Sequence, residues 1–152
     1  MKLKYWKFLF LAIATGTFLL KIFVPWQTVA QATSMKEEIT QMVVRQARAW
    51  EEQDVTAIAS DFAEDAIFIA AGFRFEGKQR IQQAARDYFN QFHDTSVKIE
   101  RIIIDGDEGA VEWDWRDRNR QSGQEGFAED AIVFKIENGK IVYWREYIEK
   151  KN

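Results

Sequence analysis

The sequence contains no cysteine, one histidine and one proline among its 152 residues. Without cysteine the chain can form no disulfide bond, no thiol nucleophile and no cysteine-based metal site. With His93 as the only histidine, multi-histidine metal sites are excluded, and a serine–histidine–aspartate triad would have to use His93 itself. His93 lies in a polar stretch after a predicted helix, so we interpret it as an exposed residue. We therefore predict neither a metal site nor a cofactor.

The N-terminal segment has the three parts of an export signal. Three lysines fall in the first seven residues, an apolar run covers 8–20, and Ala-Gln-Ala follows at 30–32. The run is short for a membrane span, which needs about 20 apolar residues. We predict a signal peptide over 1–32 and one domain over 33–152, either periplasmic or secreted. The alternative is an uncleaved membrane anchor, because the region between the apolar run and the small residues is long.

The predicted mature domain is acidic. Residues 1–32 hold four of the 21 basic residues and none of the 24 acidic ones, so the remainder carries a net charge of −7. An acidic surface repels phosphate backbones and anionic lipids. We therefore predict no nucleic-acid partner, and membrane contact only through an uncleaved N-terminus.

Aromatic residues are abundant, with twelve Phe, six Trp and four Tyr, enough for a large core without disulfide bonds. Helical periodicity predicts helices over about 35–53, 55–62 and 78–92, the first opened by a Ser34-x-x-Glu37 capping box. Shorter apolar runs and period-two patterns predict strands over 66–71, 97–104, 110–117, 127–136 and 141–148. Helices followed by consecutive antiparallel strands indicate an α+β domain with helices on one face of a sheet.

Three motifs carry a family resemblance. Asp-Phe-Ala-Glu-Asp-Ala follows the second helix, Gly-Lys-x-x-Ile opens the third, and Asn-Gly-Lys-Ile-Val-Tyr-Trp-Arg-Glu-Tyr forms the last hairpin. In this order they resemble the nuclear transport factor 2-like superfamily, and within it the SnoaL-like polyketide cyclases related to ketosteroid isomerases, over about residues 35–149. The resemblance implies a cone-shaped fold in which three helices pack on a strongly bent antiparallel sheet around an apolar pocket. Because the family includes isomerases, dehydratases, cyclases, hydrolases and non-enzymes, it does not name a reaction.

The last hairpin predicts which side chains share a face. Asn138-Gly139 is a strong two-residue turn signal, and counting outward sets Asp130 opposite Tyr147. A similar count from Ser122-Gly123 sets Trp115 opposite Asp130 and Trp113 opposite Ile132. One face would then hold Trp113, Trp115, Asp130, Ile132, Phe134, Ile136, Ile141, Tyr143, Arg145 and Tyr147.

The resemblance indicates that this face is the inner one. Asp130 matches the position at which ketosteroid isomerases carry a protonated acid that stabilises an oxyanion. The positions of their catalytic base and tyrosine are occupied here by Ala70 and Gln46, so we exclude that specific activity. The remaining hypothesis is a catalytic cluster of Asp130, Arg145 and Tyr147.

Two classes of function stay open for this predicted pocket. The first is binding of a small hydrophobic molecule, with a cofactor-independent enzyme (an isomerase, cyclase, dehydratase or hydrolase) as the catalytic form of that site. The second is a non-catalytic dimeric interaction module. The alternative to a catalytic role for Asp130 and Arg145 is a partly buried ion pair. Eight aromatic residues are predicted to contact the ligand: Trp50, Phe62, Phe68, Phe89, Trp113, Trp115, Phe134 and Tyr143.

The opposite face of the predicted sheet favours self-association. The register places Val133, Trp144 and Ile148 there, and such an apolar patch is unusual on a monomer. We therefore predict a homodimer that forms through this outer face. The charged residues of the strand over 110–117, Glu112, Asp114 and Arg116, are predicted to form a solvated or dimer-facing stripe.

Overall fold

The computed structural model describes residues 26–151, which form three helices and six strands. The helices are α1 (Trp26–Glu51), α2 (Val55–Ser60) and α3 (Lys78–Gln91). Asp54 caps α2 as predicted, since its Oδ1 accepts hydrogen bonds from the backbone N–H groups of Thr56 (3.0 Å) and Ala57 (2.9 Å).

Helix α1 begins nine residues before its predicted start at 35. The predicted capping box is wrong, because Ser34 lies inside the helix and its hydroxyl is 3.4 Å from Glu38 Oε1, one turn on. No glycine or proline interrupts 26–33, so nothing in that stretch ends the helix. The predicted signal peptide lies outside the described residues, except for its last seven positions.

The strands form one mixed sheet in the order β2-β1-β6-β5-β4-β3. All neighbours are antiparallel except β1 and β6, which run parallel, so the expected fully antiparallel sheet needs this correction. The α+β class is confirmed. The strands are β1 (Phe62–Ala70), β2 (Phe73–Glu76), β3 (Phe92–Asp105), β4 (Glu108–Asn119), β5 (Glu125–Glu137) and β6 (Lys140–Lys150).

The helices cover one face of the sheet, which we call the inner face. Apolar residues of each helix are buried there, and they form one core with the inner side chains of the strands. The members with at most 2 % exposure include Val43, Ile58, Ile81, Val111, Trp113, Ile132, Ile141 and Trp144. No helix within residues 26–151 is long and apolar enough to cross a membrane.

The β5–β6 hairpin contains a bulge that changes the predicted register. Its turn is as expected, with Glu137 paired to Lys140 and positive φ angles at Asn138 (51°) and Gly139 (72°). Beyond Ile136 and Ile141, however, Lys135 pairs with Tyr143, which leaves Val142 as an extra residue on β6.

The bulge exchanges the two faces of β6, because a shift of one residue reverses every later side chain. Trp144 pairs with Phe134 and is only 2 % exposed, so the shift buries a large indole that the predicted register left outside. Glu146 and Ile148 move inward with it. Tyr143, Arg145 and Tyr147 therefore lie on the outer face, and their predicted inward placement is wrong.

The β4–β5 register differs from the prediction by two residues. Trp113, rather than Trp115, lies opposite Asp130. The turn is centred one residue earlier than expected, where Asn119 Oδ1 accepts hydrogen bonds from the backbone N–H groups of Gln121 and Ser122, both at 3.0 Å. A shift of two keeps each side chain on its face. The prediction that Trp113 and Trp115 share a face with Asp130 is therefore confirmed.

Candidate functional site

A cavity of about 700 Å³ lies between helices α1 and α3 and the inner face of the sheet. Its volume is within the range of small-molecule pockets, roughly 300–1,000 Å³. Eight aromatic residues line it, and β5 and β6 contribute buried carboxyl groups to its wall. The aromatic lining residues are Trp50, Phe68, Phe73, Phe75, Tyr88, Phe92, Trp115 and Phe127.

Asp130 of β5 supplies the first carboxyl group. The residue is 6 % exposed, and its Oδ2 accepts a hydrogen bond from Trp113 Nε1 at 3.3 Å. Its Oδ1 is buried with no hydrogen-bond partner among the described residues. Burial raises the pKa of Asp130 to about 6, against a smaller opposing effect of the Trp113 hydrogen bond. Asp130 is thus a poorly solvated acid with one free acceptor atom.

Glu146 of β6 supplies the second carboxyl group. The Val142 bulge turns it inward, and its Oε1 accepts a hydrogen bond from Trp144 Nε1 at 3.0 Å. Burial and, to a smaller extent, the negative charge of Asp130 raise the pKa of Glu146 to about 8. The Trp144 hydrogen bond opposes this shift to a smaller extent. Each of the two carboxyl groups therefore has one oxygen held by a tryptophan N–H group.

The two carboxyl groups are diagonal neighbours on adjacent strands. Asp130 lies opposite Ile148 and Glu146 opposite Ile132, which places them two residues apart along the same face. Such diagonal positions are about 7–8 Å apart at their backbones, within reach of one small molecule. With pKa values of about 6 and about 8, one group tends to be ionised while the other is protonated near neutral pH.

A hydrogen-bonded group of three residues fixes another part of the wall. Tyr88 Oη donates to Asp117 Oδ2 at 2.6 Å, and Trp115 Nε1 is 2.9 Å from Tyr88 Oη and 3.2 Å from Asp117 Oδ2. Burial, and then the Asp117 carboxylate, raises the pKa of Tyr88 above its usual value. Tyr88 therefore stays protonated and neutral, and its hydroxyl group donates to the Asp117 carboxylate.

The predicted cluster of Asp130, Arg145 and Tyr147 is wrong, because the structure places its members on two faces. Asp130 lines the cavity, whereas Arg145 and Tyr147 lie outside it. There the Arg145 guanidinium carbon is 4.8 Å from the centre of the Tyr147 ring, and Tyr147 is 51 % exposed. Glu146 takes the place beside Asp130 that was predicted for Arg145.

Three of the eight predicted ligand-contacting residues line the cavity: Trp50, Phe68 and Trp115. Four others belong to the core around it, because their rings are enclosed by neighbouring side chains: Phe62, Phe89, Trp113 and Phe134. The eighth, Tyr143, is on the outer face as a result of the bulge.

Sequence reasoning missed Glu146 as a site residue. The signal was present in the unusual exterior patch that the unbulged register required, with Trp144 and Ile148 facing solvent. One extra residue on β6 removes that patch and brings Glu146 inward at the same time. Tyr88, also missed as a site residue, was visible only as part of the apolar stripe of the third helix.

The excluded ketosteroid isomerase positions have other roles in the structure. Ala70 lines the cavity, so no carboxylate is present at that point. Gln46 is buried, and its Nε2 donates to the Ile58 carbonyl (3.0 Å) and to Asp61 Oδ2 (3.2 Å). Asp61 also accepts from Arg45 Nη2 at 3.0 Å, and these contacts join α1 to the end of α2. Within the described residues, no three His, Cys, Asp or Glu side chains are grouped to hold a metal ion.

Known structures with this fold come from several kinds of protein. A hypothetical protein with a ketosteroid isomerase-like fold from Catenulispora acidiphila, in complex with trimethylamine, has a TM-score of 0.66 and 18 % identity over 70 % of this chain and 83 % of its own. An LEH-like epoxide hydrolase from M. tuberculosis has a TM-score of 0.66 and 23 % identity, covering 74 % and 84 %. A nuclear transport factor 2-like protein of unknown function from Burkholderia pseudomallei has a TM-score of 0.67 and 16 % identity, covering 74 % and 91 %.

At these identities the structures establish the shared fold alone, and the predicted nuclear transport factor 2-like fold is confirmed. No curated protein sequence matches this chain significantly. The SnoaL-like domain family matches residues 43–144, more than half of the chain and most of its helices and strands. The chain therefore belongs to the SnoaL-like domain family.

Proposed function

We propose that this protein binds a small, largely apolar molecule in the aromatic cavity, with Asp130 and Glu146 contacting the polar group of that molecule. The observation that carries the proposal is Asp130, which lines the cavity and whose buried Oδ1 atom has no hydrogen-bond partner among the described residues. An unsatisfied buried polar atom costs about 1–3 kcal/mol. A ligand that supplies the missing hydrogen bond recovers this energy.

The wall of the cavity supports an apolar ligand body. Eight aromatic residues line it, and burying an apolar surface against them stabilises a complex by roughly 25 cal/mol per Å². The rings are held against one another, as in the Trp50–Tyr88 and Trp50–Trp115 pairs, whose centroids are 5.7 and 5.5 Å apart. A wall of this kind is formed before binding, so little ordering energy is lost.

Native mass spectrometry of the protein purified from its own host, together with ligand-observed NMR against a small-molecule library, tests this proposal. We expect bound small molecules for the wild type, and their loss in Ala84→Phe, which fills the cavity from α3. Ala131→Phe adds the same ring to the exposed outer face and should bind as the wild type does. Equal binding by the two variants, or no ligand for the wild type, would contradict the proposal.

A second candidate is a cofactor-independent acid–base enzyme, favoured by the separated pKa values of the two carboxyls. Glu146 would act as the proton donor and Asp130 as the base. Hydrolysis of an epoxide is one reaction that suits such a pair: the acid protonates the ring oxygen as its C–O bond breaks, and the base deprotonates the attacking water. If the protein is such an enzyme, we expect it to turn over members of a panel of epoxides. Asp130→Asn and Glu146→Gln should each abolish this turnover while the variant protein remains folded. Turnover retained in either variant would count against it.

We further propose that the domain acts outside the cytoplasm, on the basis of residues 1–32. Cell fractionation combined with intact-mass measurement tests this proposal. A mature chain that starts near Thr33 indicates cleavage, a full-length chain in the membrane fraction indicates the anchor, and a full-length cytoplasmic chain contradicts export.

We also propose self-association through the outer face, with a contact surface made of other residues than those predicted from the sequence. Trp144 and Ile148 are on the inner face, whereas Val133 remains outside and 40 % exposed. It pairs with Arg145, and the exposed Tyr147 and Ile103 lie on the same face. Analytical ultracentrifugation of Val133→Glu tests the revised surface. A wild-type dimer that the variant dissociates supports the proposal, and a wild-type monomer at high concentration contradicts it.

A further inference from the structure

We propose that the ligand of the aromatic cavity is a cation, a protonated amine with apolar substituents whose N–H group donates to Asp130. The inference rests on the proposed binding function and adds the charge and hydrogen-bonding class of the ligand. Three independent features of the described residues carry it: the charge of the lining, the free acceptor, and the arrangement of three rings.

The charged groups that line the cavity are mostly acidic. Helix α3 contributes Asp87, β4 contributes Asp117, β5 contributes Glu125 and Asp130, and β6 contributes Glu146. Among the described residues that line the cavity, two are basic: Lys150, the last residue of β6, and Lys151, which follows it. Lys151 Nζ is already paired with Glu129 Oε2 (2.8 Å) and Glu149 Oε1 (2.9 Å). The lining therefore attracts cations and repels anions.

The free hydrogen-bonding position in this acidic lining is an acceptor. Trp113 and Trp144 donate to one oxygen each of Asp130 and Glu146, and Asp130 Oδ1 remains unpaired although it is buried. An ammonium group carries only donors and a positive charge, so it satisfies the oxygen and also offsets the burial of a negative charge. A neutral carbonyl ligand would instead require Asp130 to be protonated.

Three rings of the wall stand nearly perpendicular to one another. The interplanar angles are 85° for Trp50–Tyr88, 72° for Trp50–Trp115 and 72° for Tyr88–Trp115, with centroid distances of 5.5–5.7 Å. These edge-to-face contacts fix the positions of the three rings, all of which line the cavity. The negative face of an aromatic ring attracts alkylammonium groups, most strongly for tryptophan and in desolvated surroundings.

Proton linkage separates an amine from a neutral ligand. A cation favours the ionised forms of Asp130 and Glu146, so an amine must release protons on binding and bind more tightly as the pH rises from about 6 to 8. A neutral acceptor favours the protonated forms and must show the reverse. The other charged groups that line the cavity are Asp87, Asp117, Glu125, Lys150 and Lys151.

Calorimetry with two matched probes, N,N-dimethylbenzylamine and 1-phenylpropan-2-one, tests the inference. Titrations at pH 6, 7 and 8 in phosphate and in Tris give both the affinity and the number of protons exchanged. We expect the amine to bind at least about tenfold tighter than the ketone at pH 8, with proton release, in keeping with a charge-assisted hydrogen bond. Asp130→Asn should remove this preference, whereas Glu112→Gln, a carboxyl deletion on the outer face, should retain it.

The outcomes distinguish the inference from the function on which it rests. Equal binding of both probes, or tighter ketone binding with proton uptake, overturns the cationic ligand while leaving the proposed binding function intact. Binding of neither probe to the wild type, with no hit in the small-molecule library, overturns both. An amine preference that survives in Asp130→Asn also overturns the inference, because it would arise elsewhere.

Discussion

The inner and outer faces of the sheet use similar residues in opposite ways. Inside, Asp130 and Glu146 lie among aromatic rings, and burial raises the pKa of each carboxyl. Outside, Arg145 stacks on the exposed Tyr147 ring, and Glu112 pairs with Arg101 of the neighbouring strand. Residue type alone therefore does not identify the site. One additional residue, Val142, decides which charged and aromatic side chains meet the cavity.

The largest difference between the faces should appear in core packing. Trp144→Ala removes an indole that is 2 % exposed and packs against Phe134 at a centroid distance of 5.6 Å, so we expect a loss of about 3–5 kcal/mol in unfolding free energy. Tyr147→Ala on the outer face should cost less than about 1 kcal/mol, chiefly its contact with Arg145. Urea denaturation measures both. Comparable losses would place Trp144 outside and reinstate the unbulged register.

The next effect concerns the dependence of stability on pH. The pKa of Asp130 is about 6 and that of Glu146 about 8 in the folded protein, whereas both are about 4 in an unfolded chain. The folded state therefore binds more protons between these values. The stability that these two protonated carboxyl groups contribute is fully present below about pH 4. As the pH rises to about 8, the free energy of unfolding falls by a few kcal/mol.

Neutral amides at both positions should remove this loss. We expect Asp130→Asn/Glu146→Gln to exceed the wild type in urea midpoint at pH 8 and not at pH 4. The outer-face variant Glu112→Gln should keep the wild-type slope. Parallel curves for the wild type and the double variant would show that the two carboxyl groups are solvated.

The bulge itself can be removed without exchanging the faces. Because Ile136 pairs with Ile141 and Lys135 with Tyr143, deletion of Val142 leaves a regular ladder in which Trp144 still lies opposite Phe134. We expect a moderate loss of about 1–2 kcal/mol, from the altered bend of β6, and a Glu146 that still titrates near pH 8. A Glu146 that titrates near its usual pKa in this variant would contradict the assigned register.

The smallest expected effect concerns the wall of the cavity. Tyr88→Phe removes one hydrogen bond to Asp117, while Trp115 Nε1 continues to donate to that carboxylate from 3.2 Å. We expect a loss of about 1 kcal/mol, in contrast to no measurable change for Tyr143→Phe on the outer face. Thermal denaturation compares the two variants. A loss well above that of other single hydrogen bonds would show that Tyr88 supports more than the wall.

The fold was predictable from the sequence because it depends on repeated local signals. The 3.6-residue stripe over 78–92 gave α3, and the period-two pattern from Val111 to Trp115 gave β4 with its correct inner face. The Asn138-Gly139 dipeptide gave the last turn and the two residue pairs nearest to it. Each of these signals is contained within a few neighbouring residues.

The site was predictable only in part, because the decisive feature is a tertiary one. In β6, Ile141 and Trp144 are both buried although they are three residues apart, and a regular strand cannot place both on one face. The bulge resolves this conflict, and it can be anticipated only by weighing the burial of Trp144 against that of Tyr143. Asp130, located through the family resemblance, was placed correctly, whereas Arg145 and Tyr147 depended on an unbulged register.

Titration of the Asp130 and Glu146 carboxyl carbons by ¹³C NMR tests the central claim most directly. If the two groups share a desolvated cavity as the anchor of the binding site, their pKa values are about 6 and about 8. Filling of the cavity by the amine probe should lower both, because the cation favours the ionised forms. Carboxyl groups that both titrate near pH 4, with no response to the probe, would contradict the claim.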